Sequence, residues 1–145
     1  LCMLTLGAIL GLQKAQASSE WKPLSDLVSE QKLTDIFSEN TAPSADIESL
    51  SELAIGYEQG DLLVVDFKSS TLCGVGGCAI AAYQVSTGDR ILFTYAIRPG
   101  RTGNIVEVIE RENENLPCIQ ILRREATEPE IICYEENRWS TNDTS

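Results

Sequence analysis

The hydrophobic pattern changes character along the chain. Leu1 to Leu12 form an apolar run broken only by Thr5. From Pro23 to Tyr57 the apolar residues recur at helical spacing. Beyond Asp61 they fall into short runs separated by turn residues, the spacing of strands.

In the helical region, Pro23 suits a first-turn position, and Leu24, Leu27 and Val28 follow at helical intervals. Leu33, Ile36 and Phe37 predict a second short helix. Ser38 to Ser44 is a loop by composition. Ser44 is then a candidate N-cap for a helix carrying Ile47, Leu50, Ala54 and Tyr57 on one stripe, with Asp46 and Glu48 in its first turn. Gly56 weakens that helix and Gly60 ends it.

In the strand region, Asp61 to Lys68 has the continuous apolar character of a buried strand. Cys78 to Thr87 and Arg90 to Ile97 flank Gly88-Asp89, a two-residue hairpin signal. That turn sets Ile80 opposite Ile97, Ala82 opposite Tyr95 and Gln84 opposite Phe93, mostly small residues against large. Arg98 to Asn104 is a turn and Ile105 to Glu110 a strand. A polar loop, Arg111 to Asn115, leads to strands at Cys118 to Arg123 and Ile131 to Tyr134. After Asn137 the chain is polar apart from Trp139, which predicts a flexible tail over residues 140–145. The order, helices and then sequential strands, predicts a single α+β domain. In it an N-terminal helical part (residues 18–60) packs on an antiparallel meander of five to six strands (residues 61–139).

The first apolar run holds 12 residues, short of the roughly 20 that span a bilayer and typical of a signal-peptide core. Ala15-Gln16-Ala17 is the small-x-small pattern of a cleavage site, and Ser18-Ser19-Glu20 is polar. Residues 1–17 are therefore expected to be a secretory leader cut at its start, since the basic segment is missing and the chain opens at Leu1. Cys2 would leave with it. The expected destination is extracytoplasmic, periplasmic or released, with no stable membrane insertion after the leader is removed.

The net charge is −11, and losing Lys14 with the leader makes the remainder more acidic still. Nucleic acid and anionic membranes need a basic face to displace counterions, so neither is an expected partner. An acidic solvated surface, or attraction to a basic protein, is what remains.

With Cys2 removed, Cys73, Cys78, Cys118 and Cys133 are left, an even count that favours disulfides in an exported chain. Cys73 and Cys78 bracket Gly74-Val75-Gly76-Gly77, whose glycines let a short loop curl back. A hairpin centred near Glu125 and Ala126 would set Cys118 directly opposite Cys133, within disulfide reach. The competing readings are weaker. A four-cysteine zinc site lacks C-x2-C knuckles. A redox-active Cys73/Cys78 pair lacks the C-x-x-C spacing, a following helix and any neighbouring histidine.

The stretch Leu72-Cys73-Gly74-Val75-Gly76-Gly77-Cys78, after the strand Asp61 to Phe67 and before Tyr83, resembles a motif of small exported proteins of unknown function, mostly cyanobacterial. The late elements Leu116-Pro117-Cys118 and Cys133-Tyr134 are similar too. The resemblance spans roughly residues 60 to 139 and implies export and the same disulfide framework. It implies no activity.

The absence of histidine removes the commonest general base, the Ser-His-Asp and Cys-His systems and the commonest transition-metal ligand. There is no nucleophile elbow, Walker loop or dinucleotide fingerprint. The glycines at 74–77 lack the Lys-Ser/Thr and helix that phosphate binding requires. Asp61 and Asp66 flank an apolar run and suit capping or edge positions better than paired-carboxylate catalysis. Glu110 to Asn115 lacks the calcium-loop pattern. Asn142-Asp143-Thr144 fits a glycosylation acceptor only formally. Phe93, Tyr95, Tyr134 and Trp139 suit core positions on strands, with an apolar groove as the functional alternative.

No cofactor, metal or catalytic residue is therefore expected. The expected function is non-enzymatic: an exported domain that binds a protein or sits at the envelope, for example as an inhibitor of a basic hydrolase. The alternatives are a thiol-disulfide protein using Cys73/Cys78 and a small-ligand carrier. Gly74, Val75, Gly76 and Gly77 form the candidate functional loop.

Overall fold

The computed structural model describes residues 20–98, 103–111 and 116–141. The leader, Cys2 and the acceptor at Asn142 lie outside the described residues.

After a short strand β1 (Lys22–Pro23) come helices α1 (Leu24–Leu27), α2 (Glu30–Asn40) and α3 (Ile47–Ser51). Ser29 caps α2 by accepting a bond from the Lys32 N–H at 3.2 Å, an orphan donor of the first turn. The helix runs through Ser38, Glu39 and Asn40, residues that suit a loop by composition. Asn40 Nδ2 donates to the Ile36 carbonyl and to the Tyr83 hydroxyl, which ties down the last turn. The cap of α3 is Asp46, bonded to Ser49, rather than Ser44.

The helical stripe does not continue to Tyr57. Ile55–Gln59 is strand β2, a correction to a helical part reaching residue 60. Gly56 supplies the reason. A Cβ there would lie 2.9 Å from Leu27 and 3.1 Å from Leu24, so α1 rests on β2 where no side chain fits. Glycine also costs an interior helix position about 1 kcal/mol.

The strands that follow are β3 (Leu62–Asp66), β4 (Cys73–Gly74), β5 (Gly77–Gln84), β6 (Arg90–Ala96), β7 (Val106–Ile109), β8 (Cys118–Ile121), β9 (Glu130–Glu135) and β10 (Arg138–Thr141). All pairings are antiparallel, but they make two sheets rather than one meander. The first runs β1-β2-β3-β5, with β4 and β6 also on β5, and the second runs β10-β9-β8-β7. β10 replaces the start of the expected flexible tail.

Two sheets follow from the central strands, which are apolar on both faces. Leu63, Val65, Ala79, Ala81 and Tyr83 face Leu24, Ile36 and Phe37 of the helices. Leu62, Val64, Ile80 and Ala82 face Ile105, Val106, Ile119, Ile121 and Ile132 at the second sheet. The helices can cover one face only, and the late strands cover the other. α+β describes the class; strands dominate it.

The register of the β5–β6 hairpin also differs from expectation. Gly88-Asp89 does not form a two-residue turn. Val85 to Asp89 loops out, anchored by Asp61, whose carboxylate accepts bonds from Ser86 N, Ser86 Oγ and Gln84 Nε2. Ala81 therefore faces Phe93, Ala79 faces Tyr95 and Ile80 faces Thr94, with a bulge between Ala82 and Tyr83. The slip moves Phe93 and Tyr95 onto the helix-side face of the sheet, since an odd shift exchanges faces.

Candidate functional site

The Cys73–Cys78 hairpin stands at the end of β5 beside β6. The two cysteines face each other across β4 and β5 and are joined by a disulfide, with α-carbons 3.9 Å apart. Cys118 and Cys133 are likewise joined, at 4.4 Å, in the register that sets Ile119 opposite Ile132. With all four cysteines paired, no thiolate cluster for zinc exists among them.

Of the loop glycines, only Gly77 is required by the backbone. Its φ is +117°, and a Cβ would lie 2.4 Å from the Ala96 carbonyl oxygen, conditions that L side chains do not meet. A Cβ at Gly74 would meet nothing within 4 Å, and one at Gly76 would meet only Tyr95, at 3.9 Å. Between those two, Val75 is 79% exposed.

A cavity of about 340 Å³ opens beside Val75, lined by Gly74, Gly76, Leu72, Phe93, Tyr95 and Asn40 among others. Phe93 and Tyr95, 36% and 46% exposed, stand edge-to-face with centroids 5.6 Å apart. The Arg90 guanidinium lies 5.3 Å from the Phe93 ring centre and donates to Asn40 Oδ1 at 2.7 Å. The four aromatics of the expected groove are thus split. Trp139 and Tyr134 pack against each other in a tilted arrangement in the second sheet, 5.5 Å between centroids, and Trp139 donates to the Ile91 carbonyl.

A second cavity, of about 320 Å³, opens on the other side of the disulfide. Lys68, Ser69, Ser70, Cys73, Cys78, Arg98 and Gly103 line it. Next to it, Asp66, 1% exposed, accepts both bonds that Arg98 Nη2 donates to its carboxylate. Asp66 is therefore a buried ion-pair member at the end of a central strand, where its carboxylate also accepts the Lys68 N–H. Asp61 is a cap: desolvation pushes its carboxyl up, but the Ser86 and Gln84 bonds outweigh this and hold it below the ordinary value.

A third cavity, of about 310 Å³, lies between α2 and the β5–β6 loop and contains Lys32 and Tyr83. Lys32 bonds the Gly88 carbonyl at 2.6 Å. Burial raises the Tyr83 phenol above its ordinary value; the bond from Asn40 opposes this and the Glu39 carboxylate adds to it. These polar groups hold one another and pin the helix layer to the hairpin.

Glu110 and Asn115 are not brought into a described ligand set, since residues 112–115 lie outside the described ones. Among the described residues no three of Cys, Asp and Glu converge as metal ligands, and no helix is long and apolar enough to cross a membrane. Comparison with protein-family models, with curated proteins and with solved structures finds no match to this chain.

Sequence reasoning names the glycine loop, with Leu72 in its motif, and offers Phe93 and Tyr95 as core or groove residues together with Tyr134 and Trp139, but does not join them to the loop. Only the corrected hairpin register brings the two aromatics beside Val75.

Proposed function

We propose that this chain is an exported, non-enzymatic domain that binds another protein through the face made by Val75, Phe93 and Tyr95. The observation that carries this reading is the exposed patch that Val75 forms with Phe93 and Tyr95 around one cavity. Val75 is an apolar residue held out to solvent by a disulfide-closed loop, between two glycines that the backbone does not need. Exposed apolar patches that include aromatic residues favour recognition. The paired disulfides fit an oxidising compartment. Inhibition of a basic hydrolase is one form this binding takes.

The test is capture from an extracytoplasmic extract by the immobilised protein and by Val75→Asp. The reading expects a partner retained by the wild type and lost with the variant. Equal retention by both, or no specific partner, would sink it.

One observation favours a second reading, thiol-disulfide exchange. Cys73 lines both cavities and Cys78 one of them, where Lys68 and Arg98 would stabilise a thiolate. A reduction potential below about −300 mV would mark the bond as structural and end this reading.

A further inference from the structure

We infer that β6 is an open strand-acceptor edge whose partner is an extended peptide segment with alternating apolar residues and carboxylates at its ends. This rests on the protein-binding reading and specifies the mode of docking.

Among the described residues β6 pairs with β5 alone. Two hydrogen bonds fix which of its backbone groups point outward. The Ile97 N–H donates to the Leu122 carbonyl at 2.7 Å, away from β5. On β5, the Gln84 N–H is directed across the hairpin to the Asp89 carbonyl at 2.9 Å. Backbone direction alternates residue by residue. Ala96, Thr94 and Leu92 therefore bond to β5, while Tyr95 and Phe93 turn their N–H and C=O outward.

The edge is bounded at both ends. Ile97 is used by Leu122, and the Ile91 carbonyl accepts from Trp139 Nε1 at 2.7 Å. Between them lie two donors and two acceptors with no partner among the described backbone bonds. They sit beside the exposed rings of Phe93 and Tyr95 and the exposed Val75. An extended segment added here gains main-chain bonds at the edge and places alternate side chains against those rings, the strand-addition mode of recognition.

Charge selects the occupant. All seven arginines lie between positions 90 and 138, and no Asp or Glu occurs from Arg90 to Val106 in a chain with 22 acids. Arg90 and Arg98 mark the two ends of the open edge. Arg98 is held by Asp66, and Arg90 stands 3.9 Å from Glu39. A second copy suits the edge poorly. Antiparallel pairing centred on Thr94 would oppose one molecule's Arg90 with the other's Arg98, like charge against like. A segment with acidic ends instead sets carboxylates toward the Arg90 and Arg98 ends of the edge.

The experiment uses the full chain, labelled for amide NMR. The probe is a capped peptide of about nine residues, enough to span the edge, alternating valine and threonine between terminal aspartates. The expected result is protection of the Phe93 and Tyr95 amides from exchange on addition of the peptide. Its affinity should exceed that of a control peptide with the same core and terminal lysines by about tenfold, a gap that closes at high salt. Backbone N-methylation of the peptide should abolish binding.

Phe93→Pro removes one outward N–H and no ladder bond, so it should fold and bind weakly. If it does not fold, Arg90→Glu and the N-methylated peptide still decide the matter. Equal binding of both peptides, no protection at Phe93 and Tyr95, or dimers that occupy the edge would overturn the inference. If an extract partner is lost with Val75→Asp but retained by Phe93→Pro, the strand-addition mode fails while the protein-binding reading survives.

Discussion

Arg98 Nη2 donates to both carboxylate oxygens of Asp66, at 3.2 and 2.9 Å, and so ties the chain just past β6 to the end of β3. The Lys68 N–H donates to the same carboxylate at 3.0 Å, and Arg98 Nη1 reaches the Gly103 carbonyl. The ends of the two strands and the segment entering β7 therefore share one buried anion.

Asp66→Ala leaves the Arg98 charge half-buried and unpaired. It should destabilise the fold by about 3 kcal/mol, the usual cost of breaking such a pair from one side. Urea denaturation of Asp66→Ala, Arg98→Ala and the double variant measures this, and the double variant should lose less than the two singles together.

The glycines divide by necessity. Gly77→Ala places a Cβ against the Ala96 carbonyl and should cost at least about 2 kcal/mol or prevent folding. Gly74→Ala and Gly76→Ala should stay within about 0.5 kcal/mol of wild type, because nothing crowds them. Any effect of those two on partner capture without an effect on the denaturation midpoint locates the contact at the loop.

Tyr83 gives the fold an alkaline limit. Its folded-state pKa is raised above the ordinary 10.0, chiefly by burial. The unfolded state thus loses its proton first as the pH rises. Stability from this residue is whole below pH 10.0 and declines above it. Tyr83→Phe should lose about 1 kcal/mol at neutral pH, through the Asn40 and Glu39 bonds, and show a shallower fall in the urea midpoint at alkaline pH.

The two disulfides should differ in accessibility and in worth. Cys73 lies at the surface, whereas Cys118 and Cys133 are buried. Mild reductant should open Cys73–Cys78 first, as differential alkylation with mass spectrometry would show. Opening the Cys118–Cys133 bond, which closes 15 residues, should cost about 3 kcal/mol; the shorter loop should cost less.

Much of this is legible in the sequence wherever local chemistry decides. The strand Leu62–Asp66, the Cys118–Cys133 register and a helix carrying Leu33, Ile36 and Phe37 follow from apolar runs, cysteine spacing and helical periodicity. The misses occur where tertiary contacts decide. Ile55–Gln59 carries a helical stripe but becomes a strand because α1 lies on Gly56. The β5–β6 turn looks like a two-residue hairpin until the Asp61 carboxylate, remote in sequence, holds Ser86. That capture shifts the register and brings Phe93 and Tyr95 to the face of Val75. The candidate loop can be named from its glycines, but the aromatic half of the site depends on a bond 25 residues away in sequence.

The most direct test of the binding face is photo-crosslinking in the native host with a benzophenone amino acid at position 75, and at Leu53 as an exposed control outside that face. The proposed function predicts one discrete protein adduct from position 75, absent from position 53 and abolished by Tyr95→Asp. Adducts equally from both positions, or none from position 75, would contradict it.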